Sequence, residues 1–533
     1  MSNIQSSKNQ TDGSAAKDGS AAGRLIKDII RSGAILFHDE RKVAYMAYNG
    51  NGSEIIRVGS GEFKEWLHHR YWTKNHQSLP RDTDTRVAHT LAAFAIYEGP
   101  LHPLDVRTVK NEQGLWYDLG DGHAVHITAE GWRIVSKPPI LFRQFDHQQP
   151  QVHPEPGGNI NHLLNYINIR DDNLDDQLLF LVNLVATFIP GFPHPILILF
   201  GPQGAGKSTP MRLMKKIIDP SGMGISALPT NVPEFVQIAD HHAFIAFDNL
   251  SSLSAKMSDA LARASTGDGF SKRKLWTDDG DIIYYVQRPF AINGINQVVM
   301  KPDLLDRSIL IELERIAPEN RLLEEDYWQA FEHDRPQLLG GIFDVLAKAM
   351  AIYPTIELSE APRMADFTKW GCAIAEAAGY SQQQFLNAYR RNISRQNEQA
   401  IEASPVARAV IVLMEDRDRW EGTASELMTV LENKAFMLNL TDSRYWPKDP
   451  PRMGRMLNEV RTTLSLIGIR VDNRVENNTR IITITKNPTP TVFTEFSAED
   501  IPDLDEEADQ QPPEQSSLLD DDDYSNTVNT VGL

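Results

Sequence analysis

A glycine-rich segment, GPQGAGKS, has the residue types and the spacing that bind the phosphates of a nucleotide. It runs from Gly201 to Ser208 and fits the pattern G-x-x-x-x-G-K-[ST], with an apolar strand predicted before it and an amphipathic helix after it. In such a loop the backbone amides surround the phosphates, Lys207 reaches the β- and γ-phosphates, and Ser208 holds Mg²⁺. A glycine turn that only joins a strand to a helix is the alternative. The predicted nucleotide-binding residues are Gly201, Pro202, Gln203, Gly204, Ala205, Gly206, Lys207, Ser208 and Thr209.

A carboxylate follows a second apolar run further along the chain. The run AFIAF has the continuous apolar character of a strand buried on both faces of a parallel sheet, and Asp248 comes directly after it. Ligands bind at the carboxyl ends of the strands in open α/β sheets. We therefore predict that Asp248 joins Ser208 in holding the metal ion. An aspartate that only forms a strand-end turn is the alternative.

Two further polar residues stand at the ends of apolar runs. Asn293 closes the run in RPFAINGINQ, where its amide could sense a γ-phosphate or orient a water molecule; a turn asparagine before Gly294 is the alternative. Arg307 precedes the run in KPDLLDRSILIELE, where a guanidinium could neutralise charge that develops on a phosphate. A local salt bridge from Arg307 to Asp303 or Asp306 is the alternative.

Three adjacent cations lie close to two aromatic residues in the stretch ASTGDGFSKRKLWTDDGD. The cations are Lys272, Arg273 and Lys274, and the aromatic residues are Phe270 and Trp276. Cations neutralise phosphates and aromatic rings stack on bases, so the stretch predicts a contact with single-stranded DNA. The alternative is an exposed charged hairpin with Trp276 in the core. Three acids nearby would partly cancel its charge: Asp278, Asp279 and Asp281.

The C-terminal region has the pattern of a winged helix-turn-helix. A predicted helix, RMGRMLNEVRTTLSLIG, is followed by two predicted strands, IRVDNRVENNTRIITITK, that turn at Asn477 and Asn478. Arg452 and Arg455 on this helix could contact the backbone of duplex DNA, although surface arginines of a helix are often only solvated. Further arginines share this prediction: Arg461, Arg470, Arg474 and Arg480.

Together with Thr266, Gly267 and Asp268 ahead of the cations, these motifs resemble those of the superfamily-3 and poxvirus-type primase–helicase ATPases of viruses, phages and plasmids. That group is a branch of the AAA+ ring proteins. The chain looks closer still to ATP-binding helicase-like proteins of bacterial mobile elements, and the resemblance covers about residues 155–400. It implies ATP and Mg²⁺ as ligands and a hexameric ring. It also implies a hairpin that grips single-stranded DNA in a central channel, and an Arg307 that reaches the phosphates of the neighbouring subunit.

The chain departs from that family at one catalytic position. Asn249 stands where the family has a second acid after the aspartate. An amide cannot accept a proton as a carboxylate does, so Asn249 could position water but could not act as a general base. Residues 24–150 also contain no convincing set of acids and histidine for a primase–polymerase, which favours a collar or DNA-binding module there.

Composition sets limits on the rest of the chain. The net charge is −19, but Glu495 to Asp523 contains 13 acids and no Lys or Arg follows Lys486, so the preceding part is only mildly acidic. We predict that this tail is disordered and either solubilises the chain or recruits a replication partner. The single cysteine, Cys372, excludes an internal disulfide and fits the cytoplasm. Prolines interrupt the apolar stretch 178–200, which indicates a buried helix and strand, not a membrane span.

These observations predict a multidomain α/β protein. The expected order is a disordered start (1–23), an α+β domain (24–150), a helical collar (156–194), an AAA+ P-loop ATPase core (195–318), a helical lid (319–404), a winged helix (405–486) and a disordered acidic tail (487–533). The predicted function is that of a hexameric, ATP-dependent DNA helicase or translocase in replication of a mobile element. An ATP-gated origin-binding initiator without strong unwinding is one alternative, and an anti-phage or remodelling ATPase is another.

Overall fold

The structure is a computed structural model. It describes residues 20–48, 54–250, 253–273, 281–294, 302–358, 363–438, 440, 446–476 and 479–486. The predicted acidic tail, Lys274, Trp276 and the turn at Asn477 and Asn478 lie outside these residues.

The first part of the chain contains three helices and two antiparallel sheets. The helices are α1 (Ala21–Arg31), α2 (Gly61–Asn75) and α3 (Thr83–Tyr97). The first sheet has the order β1 (Ile35–His38), β2 (Ala44–Tyr48), β3 (Glu54–Arg57), and the second has the order β4 (Thr108–Asn111), β5 (Gly114–Asp118), β6 (His123–Thr128), β7 (Gly131–Ser136). Helix α1 begins at Ala21, within the segment predicted to be disordered, because the Ser20 side chain accepts the Gly23 N–H and caps the helix.

The second sheet uses its two faces for two different cores. Leu115 and Tyr117 point into the main core, whereas Trp116 between them packs with Phe142 in a smaller cluster on the other face. This alternation follows from the two-residue period of a strand. The segment ILFRQF that follows β7 makes only an isolated bridge between Asp105 and Phe142.

A four-stranded parallel sheet forms the centre of the molecule. The elements of this part are α4 (Leu174–Ala186), β8 (Ile196–Phe200), α5 (Ser208–Ile218), α6 (Val232–His241), β9 (Ile245–Phe247), α7 (Ala255–Thr266), β10 (Asp268–Arg273), β11 (Asp281–Val286), β12 (Phe290–Asn293), α8 (Pro302–Leu305) and β13 (Ser308–Glu312). The sheet order is β13-β8-β12-β9, and β10 and β11 form a separate antiparallel hairpin. Buried α4 and β8 occupy the apolar stretch 178–200, which confirms the prediction of a helix and strand.

Amide side chains cover the free edge of β13. The remaining helices of this part are α9 (Glu324–Ile352), α10 (Ala365–Ala377) and α11 (Gln382–Glu402). Asn392 on α11 accepts the Leu310 N–H at 3.0 Å and donates to the Leu310 carbonyl at 2.7 Å, and Gln396 donates to the Ser308 carbonyl at 2.6 Å. An edge strand with unpaired backbone groups invites pairing with other chains. Helix α11 thus closes the sheet with side chains in place of a further strand.

One helix has the length and composition to cross a membrane, by those criteria alone. Within the described residues it is Glu324–Thr355, which consists of α9 and the short 3-10 helix after it, and 56% of its most apolar window is buried. Phe331, Ile342 and Phe343 of α9 are fully buried in the main core. This burial is the pattern of a core helix.

The C-terminal part is a three-stranded antiparallel sheet with four helices. Its elements are α12 (Pro405–Glu415), β14 (Arg419–Thr423), α13 (Ala424–Met437), α14 (Pro450–Glu459), α15 (Arg461–Leu466), β15 (Ile469–Glu476) and β16 (Thr479–Lys486), with the sheet order β14-β16-β15. The predicted two-strand hairpin is present as β15 and β16. The single long helix predicted before it is wrong, because the chain leaves helical geometry at Val460 and forms α14 and α15 instead.

Buried charges join the second antiparallel sheet to the helix that follows the glycine-rich loop. Asp219, at the end of α5, contacts Lys215 at 2.7 Å and Arg107 at 3.2 Å, and all three side chains are at most 4% exposed. Arg107 also donates to the Pro220 carbonyl at 2.9 Å, and His242 lies 3.5 Å from Asp219. Burial works to raise the pKa of Asp219, but Lys215, His242 and Arg107 outweigh it and hold that pKa well below its ordinary value.

A second connection links the first sheet to α6 and to the hairpin. Arg41, in the turn between β1 and β2, donates to both carboxylate oxygens of Asp240 at 2.6 and 3.1 Å. Its guanidinium also lies 4.8 Å from the ring centre of Tyr284 on β11. Arg143 contacts the same Asp240 at 3.1 Å.

We expect Arg107→Ala to destabilise the protein strongly. Removing one partner of a buried ionic group leaves uncompensated charge and unpaired carbonyls, and this costs about 3–5 kcal/mol. The free energy of unfolding in urea measures the loss. Arg81→Ala, which removes an exposed arginine, should change it by no more than about 0.5 kcal/mol. Equal stability of the two variants would contradict the assigned role of Arg107.

His194 should make the protein less stable at mildly acidic pH. Burial lowers the pKa of this histidine to about 3, and its ring packs 4.3 Å from that of Phe192. The unfolded chain binds a proton near pH 6.5, so the stability that the neutral ring contributes is complete above pH 6.5 and falls as the pH drops toward 3. Between pH 6.5 and 5.5 the wild-type protein should lose about 1 kcal/mol more than His194→Gln in urea unfolding. Parallel pH profiles would contradict this assignment.

Candidate functional site

The glycine-rich loop joins β8 to α5 at the carboxyl edge of the central sheet. Gly201, Gly204 and Gly206 have φ angles of 148°, 82° and 70°, which side chains rarely adopt. A Cβ atom on Gly201 would lie 2.2 Å from the Leu313 carbonyl oxygen, so only glycine fits there. These conformations let the backbone curve as a phosphate-binding loop does. The residue set predicted from the sequence therefore fits a nucleotide phosphate group.

The lysine of the loop lies across the loop itself. Lys207 Nζ donates to the Gly201 and Pro202 carbonyl oxygens at 2.7 and 2.9 Å. Partial burial lowers the pKa of Lys207, and the Asp248 carboxylate opposes that shift. The ammonium group thus stands over the turn that would surround the phosphates. Pro210 lies in the first turn of α5, where its missing amide costs no hydrogen bond.

Ser208 and Asp248, the two predicted metal ligands, are brought together. Ser208 Oγ donates to Asp248 Oδ1 at 2.9 Å, although the residues are 40 positions apart. Ser208 opens α5 and Asp248 directly follows β9, so parallel strands bring both to the same sheet edge. A hydroxyl and a carboxylate in contact are oxygen ligands of the kind that Mg²⁺ prefers. The donor set therefore fits this ion.

Asn249 has an unusual backbone conformation that Asn293 supports. Its φ angle is 58°, in the left-handed region, and its N–H donates to Asn293 Oδ1 at 2.6 Å. Asn293 is buried at the end of β12, and its carbonyl accepts the Leu250 N–H at 2.8 Å. Asparagine tolerates the left-handed region better than most residues. The side chain of Asn249 is exposed, whereas the amide oxygen of Asn293 already holds the backbone.

Arg307 contacts residues of its own chain. One guanidinium nitrogen donates to Thr266 Oγ1 at 3.1 Å, and the other lies 3.4 Å from Asp303 Oδ1. Its side chain is 22% exposed. Asp303 also pairs with Arg363 at 2.5 Å. The local salt bridge from Arg307 to Asp303, which was the alternative interpretation of the sequence, is therefore present. It is longer than the salt bridge from Arg363 to Asp303.

The basic hairpin follows α7 directly. Lys272 and Arg273 lie on β10, but their side chains are outside the described part of the structure. Phe270 does not lie free to stack on a base, because it is 6% exposed in the core below the sheet and has the Arg263 guanidinium 4.6 Å from its ring centre. The prediction that Phe270 could contact DNA is wrong. A continuous antiparallel ladder leads from Asp268 toward the tip.

The C-terminal arginines fall into two groups. Arg452 and Arg455 are exposed on α14, and no ion pair of theirs occurs among the described side chains. Arg461, by contrast, lies 3.1 Å from Asp472, and Arg474 lies 2.6 Å from Glu421. The first pair therefore has more freedom to meet a phosphate than the second.

Sequence reasoning missed one cation beside the loop. Arg315 is exposed, and its Cγ would lie 4.0 Å from a Cβ placed on Gly204. The Ile316 N–H donates to the Gly204 carbonyl at 3.2 Å, which fixes this segment against the loop. The signal in the sequence was available, because Arg315 follows the strand SILIE at the same sheet edge as Asp248.

Two family models match most of the chain after residue 159. The model of the actinomycete integrative conjugative element replication protein matches residues 160–399, and that of the AICE RepA C-terminal domain matches residues 406–499. No curated protein matches significantly.

Several solved structures resemble the chain distantly. SCCmec type IV Cch, described as an active helicase, is 12% identical, with a TM-score of 0.46 over 85% of this chain and 93% of its own. The apo NrS-1 C-terminal region is 12% identical, with a TM-score of 0.39 over 87% of this chain and 98% of its own. At TM-scores below 0.5 these likenesses carry no argument about the present chain.

We expect Asn249→Gly to be more stable than Asn249→Ala by about 1 kcal/mol. Alanine meets the steric penalty of the left-handed region and glycine does not, while both keep the N–H that Asn293 accepts. Thermal unfolding compares the two variants. Alanine and glycine at Asp259, an exposed position in helix α7, form the matched pair, and there alanine should be the more stable. If alanine were the more stable residue at both position 249 and position 259, the result would contradict a strained backbone at Asn249.

Proposed function

We propose that the chain is a relative of the actinomycete integrative conjugative element replication proteins, whose models match residues 160–399 and 406–499, and that it is an ATP-dependent DNA helicase or translocase that works as a hexameric ring. In this proposal it hydrolyses ATP in the cytoplasm during replication of a mobile element. The observation that carries the proposal is the 2.9 Å contact between Ser208 and Asp248 beneath the glycine-rich loop. Two residues this far apart in sequence meet at the place where a nucleotide-bound Mg²⁺ would lie.

Each residue at this edge has a proposed role in holding ATP. The backbone N–H groups between Gly201 and Thr209, other than at Pro202, would bind the phosphates, and Lys207 would leave its carbonyl partners to contact the β- and γ-phosphates. Ser208 and Asp248 would hold Mg²⁺, whose charge would neutralise phosphate oxygens. Arg315 adds a positive charge from the segment beside Gly204.

The proposed site has no second acid next to Asp248. Asn249 would orient water with its exposed amide, and Asn293 would fix Asn249 and report on the γ-phosphate. Neither amide can accept the proton of the attacking water. We therefore expect slow turnover unless Asp248 or an acid of another subunit takes that proton.

Arg307 is proposed to act on the neighbouring subunit. To do so it must leave the Thr266 hydroxyl at 3.1 Å and the exposed Asp303 carboxylate at 3.4 Å, and an exposed pair of the second kind contributes little stability. An arginine in that position would neutralise charge on the transferred phosphoryl group. Its contact with Thr266, the last residue of α7 before the hairpin, would link the subunit interface to the DNA-contacting element.

Single-stranded DNA is the proposed substrate of the hairpin. Lys272, Arg273, Lys274 and Trp276 would contact it, while Phe270 anchors the base of β10 in the core. Arg452 and Arg455 would contact duplex DNA from the C-terminal part, which we interpret as a winged helix. The central part would be an AAA+ core, with helices α9 to α11 as its lid and residues 24–150 as a collar. The acidic tail would recruit a replication partner.

The second candidate is an ATP-gated initiator that binds origin DNA without strong unwinding. The observation in its favour is Asn249, which stands where the resembling family has a second acid. Its left-handed backbone and its hydrogen bond to Asn293 hold it in that position. Such a protein would bind ATP tightly and release it slowly. The C-terminal sheet and helices would then supply most of the DNA binding.

Steady-state ATPase activity with and without single-stranded DNA tests the proposal. Turnover should rise with DNA and be lost in Lys207→Ala. Lys272→Ala/Lys274→Ala should keep the basal rate but lose the stimulation, since fewer cations then face the DNA phosphates. The salt dependence of DNA binding should also weaken in that variant, by about 0.7 in the log–log slope for each phosphate that is no longer neutralised.

The matched control removes two lysines elsewhere. Lys256→Ala/Lys348→Ala deletes the same charge from exposed positions on α7 and α9, and it should leave DNA stimulation unchanged. ATP binding without turnover above that of Lys207→Ala would favour the initiator. If the ATPase rate did not change when DNA was added, and was the same in both double variants, the result would favour a remodelling ATPase and contradict both proposals.

A further inference from the structure

An aspartate and two histidines meet at the turn between β5 and β6, outside the nucleotide-binding residues. Asp121 Oδ1 lies 3.1 Å from His123 Nδ1, and Asp121 Oδ2 lies 2.7 Å from His153 Nε2. The two imidazole rings are 5.2 Å apart at their centres. All three potential ligand atoms lie within 4.8 Å of one another.

We propose that Asp121, His123 and His153 form a binding site for a divalent transition-metal ion such as Zn²⁺. Around a tetrahedral zinc ion with bonds of about 2.0–2.1 Å, neighbouring ligand atoms stand roughly 3.3 Å apart. The two carboxylate–imidazole separations of 3.1 and 2.7 Å are near this value, and all three ligand atoms lie within 4.8 Å, so side-chain rotations would bring the three groups around one ion. The inference does not depend on the proposed helicase activity.

Backbone contacts hold the turn that carries Asp121 and His123. The Leu119 N–H donates to the His123 carbonyl at 3.0 Å, and the Gly120 N–H donates to Asp118 Oδ1 at 2.9 Å. The His123 N–H donates to Asp121 Oδ1 at 3.0 Å, the same oxygen that the His123 ring contacts, and this helps to orient the carboxylate. Hydrogen bonds of this kind fix the direction in which a carboxylate meets a metal ion.

The segment that carries His153 is held on both sides. The Gln151 N–H donates to the Leu119 carbonyl at 2.8 Å, and the Glu155 N–H donates to the Pro336 carbonyl at 2.9 Å. His153 therefore reaches the cluster from backbone attached to both the second sheet and α9. Ordering this segment would cost little when an ion binds, because the fold has already fixed it.

The cluster contains a charged carboxylate and is open to water. Burial works to raise the pKa of Asp121, but hydrogen bonds from His153 and His123 outweigh it, so the carboxylate stays charged. The side chains are 33%, 36% and 48% exposed for Asp121, His123 and His153. Three protein ligands on an open surface leave a fourth position for water and a path for the ion to enter.

The donor set determines the class of metal. Two imidazole nitrogens and one carboxylate oxygen suit zinc and its first-row neighbours, whereas Mg²⁺ and Ca²⁺ favour all-oxygen sites. Such an ion would connect the β5–β6 turn to the segment that leads into the family-matched part of the chain. A bound ion would therefore cross-link the β5–β6 turn to the segment that carries His153.

Cobalt binding to the untagged full chain tests the site. The protein is stripped of metal with a chelator, exchanged into buffer with excess Mg²⁺ to load oxygen sites, and titrated with Co²⁺. We expect one ion per chain with the intense visible absorption of four- or five-coordinate Co²⁺, and its displacement by Zn²⁺. His123→Ala and His153→Ala should each weaken binding at least tenfold, and Asp121→Asn should do so as well.

His69→Ala supplies the control, since His69 is an exposed histidine on α2. It should bind Co²⁺ like the wild-type chain. Circular dichroism in chelator must be the same for all variants, so that weaker binding reflects missing ligands and not unfolding. Absence of the visible bands, or equal binding by wild-type, His123→Ala and His153→Ala, would overturn the proposal and leave the cluster as a hydrogen-bonded ion pair.

Discussion

The arrangement of the chain depends on the contacts that the buried carboxylate of Asp219 makes with its charged and polar partners. A charge without solvent costs several kcal/mol unless other charges and hydrogen bonds compensate it. Lys215 belongs to the same helix as Ser208, His242 precedes β9, and Arg107 comes from the start of the second antiparallel sheet. Compensation therefore requires all three pieces to be in place at once. The helix that begins at the glycine-rich loop is fixed at its far end by a sheet that lies 100 residues upstream.

That constraint connects the N-terminal sheet with the nucleotide edge. Tyr117 on β5 donates to the Ile218 carbonyl of α5 at 3.0 Å, and burial raises its pKa to about 12, so it stays a neutral donor. Helix α5 therefore ends on buried polar partners and begins at the loop. A displacement of the loop along this helix would have to disturb either those partners or the packing between them. The proposed metal site at Asp121 lies on the same sheet, at the turn after β5.

The parts of the site that lie at strand ends could be predicted from the sequence, because apolar runs followed by polar residues identify the edge of a parallel sheet. Lys207, Ser208 and Asp248 follow this rule, and the contact between the last two is the one expected. What surrounds Asn249 could not be predicted, since the left-handed backbone depends on the buried amide of Asn293. Phe270 was misjudged for a related reason: residues of one strand alternate between solvent and core, and position in a motif does not say which face a residue occupies.

The pairing of Arg41 with Asp240 and Tyr284 crosses the boundary of the family-matched part. The family-matched part begins at residue 160, yet Asp240 and Tyr284 within it find their cationic partner outside it. A different N-terminal part joined at residue 160 would place an arginine elsewhere or supply no arginine, and the contacts of Arg41 would then be lost. Arg143, which also contacts Asp240, lies before the same boundary and would be replaced as well. Asp240 therefore keeps these cationic partners when residues 41 and 143 are inherited together with it.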